Sequence, residues 1–303
     1  MKHIAIAIAI AATAMFAAPA FAGDHGSGHG DTHANKHGSD AAQSPVADKV
    51  IKAQRKALAK STKGAGFGPQ SPRDIDAAAG KNNRIFSEAP AYTEMNLCNI
   101  HFHKNAEHKG GEFTTYAGNG DGHGYQSGYR FDTASLTPSE LKPTKHATCD
   151  SPHGSVQPGD TIEVHYVHTT AQVKPGPTLG SCLSKAIGNP QLRVETQVYV
   201  LVNDKHALSF KDLTKHKKVD GLHQAINIPS NTGSAVQYEG STTGPGYNEK
   251  GSPFQVSWSV RPQVAKVNIA TVGKWCKGND FNEDHAHGVR NLVKNPKLLS
   301  KIN

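Results

Sequence analysis

Apolar and polar residues alternate along four segments of the chain, which are separated by glycine, proline and asparagine turns. A period of two is typical of β-strands that bury one face. The segments are 99–103, 161–168, 192–202 and 254–267. They predict a mainly β protein of the α+β class, with a large, mostly antiparallel sheet and a few short helices at its periphery.

Helical patterns are short and few. Residues 45–61 place small and branched apolar residues at helical spacing among lysines, which predicts a short surface helix. Weaker signals predict helices around 209–217 and at the Lys- and Leu-rich end, 289–299. Segments rich in Gly, Pro, Ser and Thr predict loops at 177–183 and 230–252.

The N-terminus has the pattern of a secretory leader. A basic start, Met1-Lys2-His3, precedes a short apolar run and the small-x-small sequence Ala20-Phe21-Ala22. Residues 1–22 are therefore predicted to be a signal peptide cleaved near Ala22, and the chain to be periplasmic or secreted. The apolar run is short and Pro19 interrupts it, so no stable membrane insertion is expected after cleavage.

The four cysteines are expected to form two disulfides, because an exported chain meets an oxidising compartment. No two of them lie at the spacing of a zinc knuckle, and all three pairings remain open. The cysteines are Cys98, Cys149, Cys182 and Cys276.

Residues 23–44 are small and polar, with a histidine at every fourth position from His25 to His37. Such a segment buries little, so we expect a mobile tail. It is either a weak collector of Zn²⁺, Ni²⁺ or Cu²⁺ or a hydrophilic spacer. A helical linker at 45–65 and one catalytic domain at 66–303 complete the predicted organisation.

Composition narrows the classes of function. The apolar share of 36% excludes a wholly disordered chain, and the only long apolar run is N-terminal, which excludes a multi-span membrane protein. The formal charge is +8, but the basic residues are scattered without interleaved aromatics, so nucleic-acid binding is not expected. The unusual feature is the count of 18 histidines.

One predicted strand carries two histidines on the same face. Side chains two apart on a strand point the same way, so Asn99, His101 and His103 share one face while Ile100 and Phe102 share the other. The two imidazoles are then about 6–7 Å apart at Cβ, within reach of one Zn²⁺. An H-x-H also arises by chance in a histidine-rich chain, so this pattern alone is weak evidence.

A second predicted strand adds a third histidine. Glu163, His165 and Val167 share one face, and His168 lies on the other, as a residue of the core or surface. If the strands are neighbours, three imidazoles meet around one ion and leave its fourth position open for water, which is the catalytic arrangement. Asn99 and Glu163 each precede a histidine by two, where they can fix its tautomer.

Several segments, in order, resemble those of carbonic anhydrases of the α class, and more closely of the related δ class. Gly68–Ile75 resembles QSP-x-x-I, Asn99–His103 resembles Q-F-H-F-H, Ala106–His108 resembles S-E-H, Glu163–His168 resembles E-L-H-L-V-H, Tyr238–Pro245 resembles Y-x-G-S-L-T-T-P, and Val256–Val260 resembles V-T-W-x-V. The uninterrupted run Leu97–Gly110 is typical of the δ class. The similarity spans about 66–290 and implies an α-carbonic-anhydrase-like fold.

The resemblance also implies a ligand set for Zn²⁺. His101, His103 and His165 would bind the metal. Asn99 and Glu163 would orient His101 and His165.

Further residues receive roles from the same resemblance. Thr243 would accept a hydrogen bond from zinc-bound hydroxide and pass its own proton toward Glu107, while Val167 and Trp258 would line an apolar pocket for CO₂. Thr242 stands in that pocket where the α class has Leu, and it is an alternative relay hydroxyl. The spacing favours Thr243.

The proton shuttle does not carry over. The α class has a shuttle histidine some thirty residues before its H-x-H strand, but residues 67–76 hold none. His108, His123 and the N-terminal tail are the candidate substitutes. His108 is expected to pack or hydrogen-bond structurally, and the loop before Glu107 is shorter than in the α class.

The predicted reaction is reversible hydration of CO₂ to bicarbonate and a proton by zinc-bound hydroxide, with CO₂ and bicarbonate as the partners. An alternative is an extracytoplasmic zinc-binding or zinc-buffering protein with a degenerate site, although such a protein needs neither Glu107 nor Thr243. A different zinc hydrolase is disfavoured because no H-E-x-x-H occurs. The oligomeric state stays open.

Overall fold

The computed structural model describes residues 44–242, 246 and 248–302. The predicted leader at 1–22 and the relay candidate Thr243 lie outside the described residues, as does the predicted tail except for Ser44.

A five-stranded sheet is the centre of the described part of the chain. Its order is β1-β4-β5-β9-β8, and all neighbours are antiparallel except the parallel pair β5–β9. The large, mostly antiparallel sheet is therefore confirmed. The strands are β1 (Asn96–Lys104), β2 (Thr115–Asn119), β3 (Ser127–Arg130), β4 (Thr161–Thr169), β5 (Leu192–Val202), β6 (His216–Val219), β7 (Leu222–Ala225), β8 (Val236–Ser241) and β9 (Gln255–Asn268).

Helices lie at the periphery, as expected. They are α1 (Asp48–Thr62), α2 (Phe210–Leu213) and α3 (Ile269–Cys276), with 3₁₀ turns at Tyr92–Glu94, Thr133–Ser135, Leu179–Cys182 and Pro296–Leu298. The helix predicted at 45–61 is confirmed as α1, and it buries Ile51 and Leu58. Of the helices described, none is both long and apolar enough to cross a membrane.

The helix predicted around 209–217 is wrong beyond its first turn. It ends at Leu213, and β6 then pairs with β7 through a tight hairpin. Asp220 and Gly221 form the turn, both at positive φ (49° and 86°). An Asp-Gly pair favours this turn because both central residues tolerate that conformation, and it outweighs the weak helical pattern.

The helix predicted at 289–299 is also wrong, apart from the short 3₁₀ turn at its end. Before that turn, backbone amides of this segment donate to distant groups. Val289 N donates to Gly124 O at 3.0 Å and Val293 N donates to Pro72 O at 2.9 Å. Tertiary pairing has replaced the local ladder.

The loop predicted at 230–252 contains a strand. Residues 236–241 form β8, which pairs antiparallel with β9 along its whole length. Tyr238 and Gly240 are buried, while Gln237 and Glu239 are exposed or half-buried, so the period-two signal is present but short. Gly240 is required there, because a Cβ would lie 1.9 Å from Ser71 Oγ.

The central sheet separates two apolar clusters. Ile100, Phe102 and Tyr166 point into one cluster, which packs against α2 and α3. Val167 and Trp258 point into the other, on the face that carries the histidines. Alternation along β1 from Asn99 onward, and along β4, therefore leaves the histidine side of the sheet polar at its centre and apolar around it.

Two disulfides form, as expected, and the structure selects one of the three pairings. Cys98 pairs with Cys182, and Cys149 pairs with Cys276. The first joins cysteines that are 84 residues apart in the sequence, and the second joins cysteines that are 127 residues apart.

Truncation of Phe102 tests the importance of the buried side of the sheet. Phe102 is fully buried, with ring centroids 5.8 Å from Phe210 and 6.0 Å from Trp275. Phe102→Ala should lower the free energy of unfolding by about 3–5 kcal/mol, measured by guanidinium denaturation. Ile85→Ala is the control, because Ile85 is 96% exposed, and it should change stability by about 0.5 kcal/mol or less. Equal losses would contradict the assigned core.

Candidate metal centre

The register between β1 and β4 decides whether the predicted histidines meet. The two strands are antiparallel neighbours, and His101 lies directly opposite His165. His103 lies opposite Glu163 in the same register. The condition on which the three-histidine prediction depended is therefore satisfied.

The two histidines of β1 each have one ring nitrogen engaged by an oxygen acceptor. His101 Nδ1 lies 2.6 Å from Asn99 Oδ1, and His103 Nδ1 lies 2.9 Å from Gly288 O. A carbonyl oxygen only accepts, so each Nδ1 carries the proton. Each Nε2 is therefore left with a lone pair.

The His165 ring is held at Nε2, whereas the other two rings are held at Nδ1. Its Nε2 lies 2.6 Å from Glu163 Oε1, so Nε2 donates and Nδ1 carries the lone pair. The predicted pairings of Asn99 with His101 and of Glu163 with His165 are thus both present as contacts. Gly288 was missed, because a backbone carbonyl leaves no signal in the sequence.

The three free lone pairs converge. His101 Nε2 and His165 Nδ1 are 3.2 Å apart, His103 Nε2 is buried without a hydrogen-bond partner among the described residues, and the ligand atoms of the three histidines lie within 4.8 Å of one another. Two nitrogens on a tetrahedral Zn²⁺ at 2.0–2.1 Å would be about 3.3 Å apart. Facing lone pairs repel unless a cation lies between them, so the donor set fits a divalent metal ion.

Burial keeps two of these ligands in the form that a metal needs. Burial lowers the pKa of His103 to about 4, against the opposing effect of Glu107. Burial, followed by the neighbouring imidazoles, also holds the pKa of His101 well below its usual value. Both rings are therefore neutral at pH 7.

Glu163 is the centre of a buried hydrogen-bond network next to the three histidines. Its Oε1 also lies 2.8 Å from His108 Nδ1, and its Oε2 accepts from the His108 backbone N–H. Burial would raise the pKa of Glu163, but the contacts with His108 and His165 hold it well below the usual range. Glu163 is therefore a carboxylate and an acceptor for His165.

His108 belongs to the protein interior. Its Nε2 lies 2.7 Å from the Tyr238 hydroxyl, which lies 3.1 Å from Ser71 Oγ. The residue is fully buried with both ring nitrogens in contacts. This position suits a positioning role and does not favour the shuttle role considered for it.

Glu107 reaches the cluster through a sharp turn after β1. Asn105 adopts positive φ (67°), which bends the chain back, and Glu107 Oε1 comes to 3.8 Å from His103 Nδ1. The Arg290 backbone N–H donates to the same oxygen at 3.1 Å. Burial alone would raise the pKa of Glu107, but His103 and Arg290 lower it. The short loop therefore still delivers a carboxylate to the site.

An apolar row lies beside His165. The register pairs Val167 with Val194, and Val194 with Trp258, so the three buried side chains lie side by side across β4, β5 and β9. The Trp258 ring centroid is 5.1 Å from that of His165. Val194 was missed, since its place beside Val167 follows only from strand order.

The three remaining candidates make hydrogen bonds to residues outside the histidine cluster. The Thr242 hydroxyl lies 3.3 Å from Ser252 Oγ. His123 is exposed in a bend, and its backbone N–H donates to Asp121. His168 is fully buried, with Nδ1 3.0 Å from Tyr166 O.

A fourth histidine at the cluster was missed. Residues 286–290 lie against β1, and the His287 ring lies 5.5 Å from His101 and 5.9 Å from His103, centroid to centroid. Its side chain is 42% exposed, and Nε2 lies 2.6 Å from Glu283 Oε2. The second H-x-H, His285 to His287, was the signal that could have found it.

Fold and site together define a candidate metal centre on a β-sheet, with three imidazoles and an apolar row beside them. The family model for delta carbonic anhydrase matches residues 92–271, more than half of the chain and all three converging histidines. The chain belongs to the delta carbonic anhydrase family, and carbonic anhydrase is its enzyme class. The family supports hydration of CO₂ in general.

The solved structures to which the chain is similar include three carbonic anhydrases. The α-carbonic anhydrase of Photobacterium profundum is 15% identical, covering 80% of this chain and 94% of its own, with a TM-score of 0.26. A hyperthermostable carbonic anhydrase from a hydrothermal vent chimney is 16% identical, covering 82% and 90%, with a TM-score of 0.28. Carbonic anhydrase Cah3 of Chlamydomonas reinhardtii, solved with acetazolamide, is 18% identical, covering 76% and 89%, with a TM-score of 0.27. No curated protein matches the chain.

Glu163→Gln tests the orientation of His165. An amide is a weaker acceptor than a carboxylate, so affinity for a divalent metal should fall about 10–100-fold in a chelator competition titration. Glu195→Gln is the matched control, since Glu195 is a buried carboxyl on the neighbouring strand, opposite Tyr166 and on the other face. Unchanged affinity in Glu163→Gln would show that this contact does not support the metal.

Proposed function

We propose that the chain catalyses reversible hydration of CO₂ to bicarbonate and a proton, with Zn²⁺ held by His101, His103 and His165. The observation that carries the proposal is the convergence of three lone pairs, each fixed by an acceptor on the opposite ring nitrogen. Membership of the delta carbonic anhydrase family supports the choice of substrate.

The donor set favours zinc among the common divalent ions. Three imidazoles suit Zn²⁺ better than Mg²⁺ or Ca²⁺, which take oxygen ligands. When bound, zinc lowers the pKa of a water molecule from 15.7 to about 7 and supplies a nucleophile at neutral pH. The protein contributes neutral ligands, fixed tautomers and the buried carboxylate of Glu163.

The apolar row gives CO₂ a place beside the nucleophile. CO₂ has no net charge or dipole, so it needs no hydrogen bonds from the protein. An apolar surface formed by Val167, Val194 and Trp258 can therefore hold it. All three are buried. Charged bicarbonate gains nothing from such a surface, which favours its release.

Glu107 is proposed to orient the nucleophile through a threonine hydroxyl. Its lowered pKa keeps it ionised and able to accept a hydrogen bond from that hydroxyl. The Thr242 hydroxyl already lies against Ser252. We therefore assign the relay to Thr243 and a place on the wall of the pocket to Thr242.

An extracytoplasmic location fits the reaction. Two disulfides indicate an oxidising compartment, and the leader-like N-terminus provides a route to it. We propose that the chain is periplasmic or secreted and interconverts CO₂ and bicarbonate at the cell boundary.

Stopped-flow CO₂ hydration with a pH indicator tests the function on the zinc-loaded chain. His101→Ala should lower kcat/KM at least about a hundredfold, since the loss of a ligand exceeds the loss of an orienting contact. His206→Ala is the control, because His206 is exposed and distant in the fold. The histidines of the N-terminal tail are present in both variants, so any zinc that they bind affects both measurements equally. Tight zinc binding without hydration by the unmodified chain would identify a zinc-buffering protein instead.

A pair of threonine variants tests the relay assignment. Thr243→Val should lower kcat about a hundredfold or more, because general acid–base positioning contributes that much, with zinc content unchanged. Thr242→Val should keep kcat within about tenfold, because Thr242 is assigned to the wall of the pocket and not to the relay. Both rates come from the stopped-flow assay, with zinc measured by mass spectrometry. The reverse pattern would assign the relay to Thr242.

A further inference from the structure

The first disulfide lies immediately before the metal-binding face of β1. The register between β1 and β4 shifts between Leu97 and Asn99, so Cys98 is the extra residue of a β-bulge. Leu97 points into the apolar cluster that packs against α2 and α3, the helix-side cluster. Cys98 points into the cluster on the face that carries the histidines, the histidine-side cluster. The bulge therefore turns the disulfide toward the same side as the metal ligands.

The disulfide ties down the long connection between β4 and β5. This connection, residues 170–191, is largely exposed and holds Cys182 at the end of a short 3₁₀ turn. Besides the disulfide, Gly176 N donates to Cys98 O at 3.0 Å, and Val173 and Leu179 pack on the histidine-side cluster. Thr169 Oγ1 also donates to Cys182 O at 2.8 Å, and Asn96 Nδ2 to Ala171 O at 3.1 Å. Apart from the covalent link, the loop is therefore held by scattered hydrogen bonds and a small number of apolar side chains.

The loop makes a direct contact with a residue that orients a ligand. Asn99 Nδ2 donates to Gly176 O at 3.0 Å, while Asn99 Oδ1 accepts from His101 Nδ1 at 2.6 Å. Gly176 O thus decides which end of the Asn99 amide faces His101. If the amide turned over, its NH₂ group would face the N–H of His101, and the free lone pair at Nε2 would no longer be fixed.

We propose that the Cys98–Cys182 disulfide is a positioning element of the metal site and acts through Gly176 and Asn99 on His101. A chain with thiols at these two positions then binds zinc more weakly, so the site is completed only where the disulfide forms. This inference rests on the zinc ligands of the proposed function.

General stabilisation of the fold is the competing explanation. The Cys149–Cys276 disulfide separates the two, because it spans a longer stretch of sequence and lies in the helix-side cluster. Loop-closure entropy predicts a stabilisation at least as large for this second link. Only the first disulfide adjoins Asn99.

The experiment measures zinc affinity by chelator competition and Co²⁺ binding by its visible absorption, on the full chain. The double variant Cys98→Ser/Cys182→Ser should lose about 10–100-fold in zinc affinity, the range for loss of an orienting contact. Its Co²⁺ spectrum should also change. Cys149→Ser/Cys276→Ser, the matched control, should keep affinity within about threefold and an unchanged spectrum. Equal losses in the two double variants would overturn the proposal.

A double-mutant cycle tests whether the disulfide acts on the metal site through Asn99. In an Asn99→Ala background, removal of the Cys98–Cys182 disulfide should cause little further loss of zinc affinity, because both changes act on the same contact. Losses that multiply would overturn the route through Asn99. The affinity of the unmodified chain is measured in the same series, so absence of zinc binding there would count against the proposed function and not against the disulfide.

A glycine variant covers the case in which the cysteine variant does not fold. Gly176→Val keeps both disulfides, but its Cβ would meet Ser181 Oγ at 2.7 Å, and the branched side chain would crowd the buried backbone whose carbonyl holds Asn99. It should lower zinc affinity about tenfold or more. Gly188→Val, in the same loop with nothing within 4 Å, should not. Unchanged affinity in Gly176→Val would overturn the proposal.

Discussion

The register of two strands is the constraint on which the rest of the structure depends. His101 can meet His165 only while β1 and β4 keep the pairing that places them opposite each other. Because the side-chain period is two, a slip of one residue would send the histidines of β1 into the helix-side core and bring Ile100 and Phe102 to the metal. The large apolar residues of that core therefore fix the register, and the metal site uses a geometry that hydrophobic burial has already set.

Burying a polar face in a sheet costs free energy unless every group on it has a partner. Asn99, Glu163 and the carbonyl of Gly288 provide these partners, one for each ligand ring. Each contact satisfies a donor and at the same time leaves a lone pair at the opposite nitrogen. The hydrogen bonds that make the burial tolerable are thus the same ones that prepare the site for a cation. The stability of the buried face and its fit to a cation have one origin here.

The sequence was sufficient where the information is local. Alternation located four of the five strands of the central sheet and placed His101 and His103 on one face of β1 and His165 on one face of β4. The sequence was insufficient where partners are distant in the chain, as for His287, whose neighbours are more than 180 residues away. The Asp220-Gly221 hairpin differs, because its turn signal is local and stands beside a competing weak helical pattern. Disulfide pairing needed the loop geometry, which no local pattern contains.

The segment 286–299 shows why an irregular stretch can matter more than a regular one. A helix would have used its amides and carbonyls internally. Instead, Gly288 O accepts from His103, and the Arg290 amide donates to Glu107. Residues farther along pack with Leu58 of α1, so the two ends of the described chain pack against each other. His103 is then oriented only after the C-terminal segment has docked, whereas His101 is held by Asn99 within β1. Formation of the site is therefore coupled to completion of the fold and not to β1 alone.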